Sequence, residues 1–169
     1  MRLVLTVTLC LLAAAARPQN DSLWTVWRNE ALPDSAHLKA IATLSWKAAF
    51  ERPDSGLALA RMQLELARTT GDPKALYTAY NTLAVGHKMR SDLPAAPDHF
   101  NRAKEVARSM TDRGRTAATL SNRSTVHKDL GDLPRALELL HRASASTRSW
   151  ATPRVWPAPT TTSATPTNG

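Results

Sequence analysis

Apolar positions recur at spacings of three and four along most of this chain. Leu76, Tyr80, Leu83, Ala84 and His87 form one stripe. Phe100, Ala103, Val106 and Ala107 form a second, after the turn Ser91-Asp92-Leu93-Pro94. Leu120, Val126 and Leu130 lead into Gly131-Asp132-Leu133-Pro134, and Ala136, Leu137, Leu140 and Ala143 follow it. Such spacing gathers side chains on one face of an α-helix, so each pair of stripes predicts two amphipathic helices joined by a tight turn. The turn chemistry agrees. Gly131 suits the left-handed position just past a helix, Asp132 can cap the next, and Pro134 fits a first turn, where its missing N–H costs little.

The chain also matches itself at an offset of forty residues. Ser91-Asp92-Leu93-Pro94 falls on Gly131-Asp132-Leu133-Pro134, His87-Lys88 on His127-Lys128, Ala96 on Ala136, Ala103 on Ala143 and Asp72 on Asp112. Leu66-Ala67-Arg68 falls on Val106-Ala107-Arg108. A fixed period of this length marks an array of supersecondary units. Three follow, over 33–72, 73–112 and 113–148, each a helix hairpin. The fold class expected is therefore all-α, a solenoid of about three antiparallel helix hairpins. Small residues at Ala84 and Ser124 are expected to face Ala96 and Ala136, letting the paired helices approach closely. Residues 17–32 form a lead-in segment, where Trp24 and Trp27 sit on a short helix placed to cover the open end of the stack.

This constellation resembles the tetratricopeptide repeat (TPR), in a forty-residue variant, over roughly residues 33–148. Tyr80, Leu83, Ala84, Ser91, Asp92, Ala96, Phe100 and Ala103 carry the resemblance in the second unit. Asn122, Ser124, Gly131, Asp132, Ala136, Leu140 and Ala143 carry it in the third. Five positions depart from it: His87 and His127 stand where the family usually has Tyr, Pro97 for an aliphatic residue, Arg123 for Leu, and Gly56 for Ala. The resemblance implies a TPR-like superhelix whose first helices line a concave, partner-binding surface. Asn81, Thr82, Lys88, Ser121, Asn122 and Lys128 are the exposed polar residues expected there. Their amides and ammonium groups suit an extended peptide or protein segment, making the chain a non-catalytic scaffold. Exported repeats of this length also resemble the N-terminal regions of bacterial sensor histidine kinases and related signalling proteins. That implies the alternative of a sensory module whose output domain lies elsewhere in a longer protein.

Composition changes this picture little. Hydrophobic residues are 43% of the 169-residue chain and aromatics 5%, with Ala and Leu dominant, which favours helix packing over a β-sandwich. The net charge of +8 comes from single Lys and Arg residues interleaved with Asp and Glu. No basic block and no basic–aromatic alternation marks a nucleic-acid surface, so solvated helix faces account for the charge. A basic nucleic-acid binder is the third reading, and it would carry a steep salt dependence. No phosphate loop, nucleophile elbow or HExxH is present. TTGDPKA lacks the second glycine and the following Lys-Ser/Thr of a phosphate loop. No catalysis and no cofactor are expected. His87 and His127 are expected to pack between helices, with no carboxylate or second His at ligand spacing and hence no metal.

The two ends differ from the middle. Residues 1–16, MRLVLTVTLCLLAAAA, have the layout of a secretory signal peptide, with Ala14 and Ala16 placed for cleavage before Arg17. Cleavage would export the mature chain to the periplasm or beyond and remove Cys10, the only cysteine. Too short to span a membrane, the run implies no anchor in this chain. Residues 149–169 lose the helical pattern where a fourth unit is due, and their Pro/Thr composition reads as a disordered tail. The genetic code offers a second reading, a fourth repeat read one base out of frame. Trp150 followed by Ala151 fixes a shifted glycine codon, in register with Gly71. Trp156 followed by Pro157 fixes an alanine codon, in register with Ala117. The shifted codons at 156 and 163 allow Leu, matching Leu76 and Leu83, and the whole stretch reads as a first helix in phase. On that reading the protein is truncated, and its uncapped C-terminal end is free to self-associate.

Overall fold

The computed structural model describes residues 19–148; the signal-like segment and Cys10 lie outside them, as does the 149–169 tail. Seven helices follow one another, with no strand among the described residues: α1 (Gln19–Arg28), α2 (Asp34–Glu51), α3 (Pro53–Thr70), α4 (Pro73–Met89), α5 (Ala96–Ser109), α6 (Arg113–Asp129) and α7 (Leu133–Arg148). Each helix packs on its neighbours in the chain, and α2 also meets α4, as α4 meets α6. Second helices α3, α5 and α7 do not approach one another in this way. The first helices therefore line the inner side of an α-solenoid of antiparallel hairpins. Contacts between elements run only to the next helix or the next but one, as in any stack of repeats.

The turns keep the repeat. Backbone φ is positive at Gly71, Ser91, Thr111 and Gly131, one left-handed residue every twenty. After three of them the next amide reaches back to the last helical turn: Asp92 to the His87 carbonyl, Asp112 to Ala107 and Asp132 to His127, each at 2.9 Å. These are left-handed helix stops that satisfy orphan carbonyls. The aspartates then start the next element. Asp72 accepts from the amides of Lys74 and Ala75, Asp112 from Arg115, and Asp132 from Arg135. One element starts later than its repeat partner: α5 begins at Ala96, whereas α7 begins at Leu133. Pro97 has no N–H to return to the Leu93 carbonyl, so an α-helical first turn cannot close there.

Packing follows the small residues. Ala84, Val85, Ala96, Phe100 and Val126 form one buried cluster across α4, α5 and α6. Leu57, Ala60 and Leu64 of α3 meet Ala79 and Leu83 of α4 in another. The first hairpin is the tightest, because Arg52 alone joins α2 to α3. A Cβ on Gly56 would lie 2.4 Å from the Ala49 backbone nitrogen, which explains glycine where the repeat has alanine. Buried Gln63 replaces the repeat's Ala103 and Ala143, accepting from the Ser45 hydroxyl at 3.1 Å and donating to the Ala75 carbonyl at 3.5 Å. That amide ties α2, α3 and α4 together. At the amino end α1 packs on α2, with the Trp27 and His37 rings edge-to-face at 5.9 Å.

Candidate binding surface

The inner side is built by α2, α4 and α6, and a ladder of polar contacts joins the last two. Near their starts the Tyr77 hydroxyl donates to the Arg115 carbonyl at 3.3 Å, and the Arg115 guanidinium lies over the Tyr77 ring. One turn on, the Asn122 side-chain Nδ2 donates to Asn81 Oδ1 at 3.1 Å. Near their ends Lys88 pairs with Asp129 at 3.2 Å. Between α2 and α4 lies a pocket of about 240 Å³, with Ser35, Lys39, Lys74 and Thr78 on its walls and Gln63 beneath. The Asp72 carboxylate at its edge is already occupied by the α4 amides.

The six residues expected here do not share one environment. Asn81 and Asn122 meet directly, half-buried, and their pairing leaves the Asn81 side-chain nitrogen and the Asn122 side-chain oxygen with no hydrogen bond among the described residues. Lys88 is largely neutralised by Asp129. Ser121 is half-buried and Lys128 exposed. Thr82 departs from the expected exposure: it is fully buried, and its hydroxyl donates back to the Thr78 carbonyl at 2.9 Å. It sits one residue round the helix from Asn81, on the side turned to the core. Tyr77, Lys39 and Lys74 were not singled out by the repeat pattern. Their place depends on how successive first helices abut, which an offset of forty does not encode.

The repeated histidines carry more than packing. His87 Nδ1 lies 2.9 Å from an Asp92 carboxylate oxygen, and His127 Nδ1 lies 3.2 Å from Asp132. A carboxylate therefore does stand beside each ring, contrary to the expectation from sequence spacing. The left-handed turn folds the chain back and brings the residue five positions on under the imidazole. The His99 ring stacks on His87 at 5.2 Å. Burial, and then the neighbouring His87, hold His99 below the ordinary histidine range. Among the described residues, no three His, Cys, Asp or Glu side chains converge as a metal site.

No protein-family model and no curated protein matches the chain. Among solved structures it is similar to the TPR domain of Arabidopsis FLU, at 15% identity and a TM-score of 0.62, over 69% of this chain and 99% of that one. It is also similar to BtubC from P. vanneervenii, at 13% identity and a TM-score of 0.50, over 88% of this chain and 77% of that one. These likenesses define the class of fold: a TPR-like α-solenoid.

Proposed function

We propose that this chain is a non-catalytic scaffold whose inner face binds an extended peptide segment of a partner protein. The Asn81–Asn122 bridge carries the reading. It holds two first helices in register and leaves one amide donor and one carbonyl acceptor side by side. An extended backbone presents the same complement, one N–H and one C=O, so such a pair can hold a peptide irrespective of its side chains. Charge adds selectivity. Lys39 and Lys74 flank the inner pocket, and Lys128 near the end of α6 is exposed. An acidic side chain on the bound segment is favoured.

The signal-like residues 1–16 support export of this scaffold. The forty-residue period and the in-phase shifted codons after Trp150 support a truncated form of a longer repeat protein, with a sensory, kinase-linked parent as the alternative. Peptide-library selection on the full chain tests the binding reading. Acidic, extended sequences should emerge and lose about tenfold or more in affinity on the Asn81→Ala/Asn122→Ala double variant. Failure to select any peptide, or equal affinity for the double variant, would refute it.

A further inference from the structure

The outer edge of the last hairpin carries an apolar stripe. Leu133, Leu137 and Leu140 are 57%, 58% and 44% exposed, and their spacing of four and three puts them on one face of α7. The same repeat positions are covered in the earlier hairpins. Forty residues back from Leu140 stands Phe100, fully buried against Val126 of α6. Eighty residues back from Leu137 stands Leu57, buried against Ala79 and Leu83 of α4. Leu93, one repeat back from Leu133, packs on the Phe100 cluster. In both earlier cases the cover is the first helix of the following hairpin. Gly86 of α4 lies against Leu57, and its repeat equivalent Val126 of α6 lies against Phe100, about one turn further along the second helix.

We infer that the α7 leucine face is the docking surface for the first helix of a fourth hairpin, which on the frameshift reading proposed above is encoded in the shifted frame beyond Trp150. The interface is the continuation of those made by α3 with α4 and by α5 with α6. The shifted codons offer what it needs: Leu, Met or Val at position 156, Ala at 157, and Leu, Ile, Val or Phe at 163, in register with Leu76, Tyr77 and Leu83. A second copy of this chain is a poorer match. The positions of α2 that would meet α7 in a continued stack include exposed Lys39, Thr43 and Lys47 beside Trp46 and Phe50.

The test titrates a synthetic peptide, covering the shifted-frame translation of positions 150–167, into the full chain and follows fluorescence anisotropy. Saturable binding is expected, weakened about tenfold or more by Leu137→Asp and unchanged by Arg61→Ala on the exposed side of α3. Both substitutions are at solvent-accessible positions, and an unaltered helical circular dichroism spectrum establishes that each variant folds. No binding to the folded chain overturns the inference, as does equal binding to Leu137→Asp. Sedimentation equilibrium supplies the rival outcome. A dimer abolished by Leu137→Asp and not displaced by the peptide assigns the face to a second copy and overturns the inference equally.

Discussion

His87 and Asp92 are joined twice, by an imidazole–carboxylate contact of 2.9 Å and by the Asp92 amide on the His87 carbonyl at 2.9 Å. Together these close a ring across the turn between α4 and α5, and His127 with Asp132 repeats it one unit on. Asp92→Asn keeps the backbone link and weakens the side-chain one. It should cost about 0.5–1.5 kcal/mol in urea unfolding. Asp132→Asn should cost less, because that contact is longer and its carboxylate more exposed. An equal or larger loss at Asp132 would show that the side-chain contact is not what stabilises the turn.

Thr111 occupies a left-handed backbone position at φ +54° that its repeat partner fills with Gly71. A β-branched residue is strained there by roughly 1–2 kcal/mol. Thr111→Gly should therefore raise the unfolding midpoint, offset in part by the added entropy of the unfolded chain. An unchanged or lower midpoint would contradict the strain assigned to this turn.

Arg123 stands where the second unit has Leu83. Its Nη1 donates to Asn101 at 2.7 Å, but Nε is buried without a partner. Burial disfavours its charge, and nearby Arg135 and Arg142 add to this. Arg123→Leu should stabilise the fold by about 1 kcal/mol, since it removes an unpaired buried group and restores an apolar contact. Loss of stability on thermal unfolding would show that the Asn101 contact outweighs the desolvation.

Gly56→Ala should be among the most damaging single changes, because the added methyl meets rigid backbone of α2 rather than a movable side chain. Overpacking of this kind costs roughly 1–3 kcal/mol. The same change at exposed Gly114, where the nearest atom to a new Cβ is an Asp112 carboxylate oxygen at 3.4 Å, should be neutral or stabilising.

Acid should destabilise the second hairpin through His99. Its folded pKa is depressed, with Arg102 and Arg61 adding to the effects of burial and His87, and Asp98 opposing them. Below about pH 6.5 the unfolded chain takes up a proton that the folded one refuses, so stability falls as pH drops from there toward the lower folded value. His99→Leu, the residue present at the equivalent Leu139, should flatten that part of the pH–stability curve. An unchanged slope would remove His99 as its source.

Much of the architecture was legible because the turns are chemically explicit. Gly131-Asp132 names a left-handed stop followed by a cap; an offset of forty transfers the stop to Ser91 despite the missing glycine, but not the cap, since the Asp92 carboxylate meets His87 and α5 starts only at Ala96. Periodicity likewise placed Ala84 and Ala96 in the core. What stayed hidden belongs to the contacts between units. Thr82 and Asn81 are neighbours on one helix, and only the position of the adjoining helices decides which of them faces inward. Buried Gln63 looks like a surface residue until Ser45 and the Ala75 carbonyl are seen to satisfy it. The His–Asp pairs were present as a repeated five-residue spacing, which acquires meaning through the reversal of the chain at the turn.

The inner-face account meets its most direct test in an NMR titration of the isotopically labelled chain with a peptide selected on it. Shifts should concentrate on α2, α4 and α6, and the side-chain amides of Asn81 and Asn122 should be among the largest. Shifts confined to α3, α5 or the outer side of α7, with both asparagine amides unmoved, would contradict it.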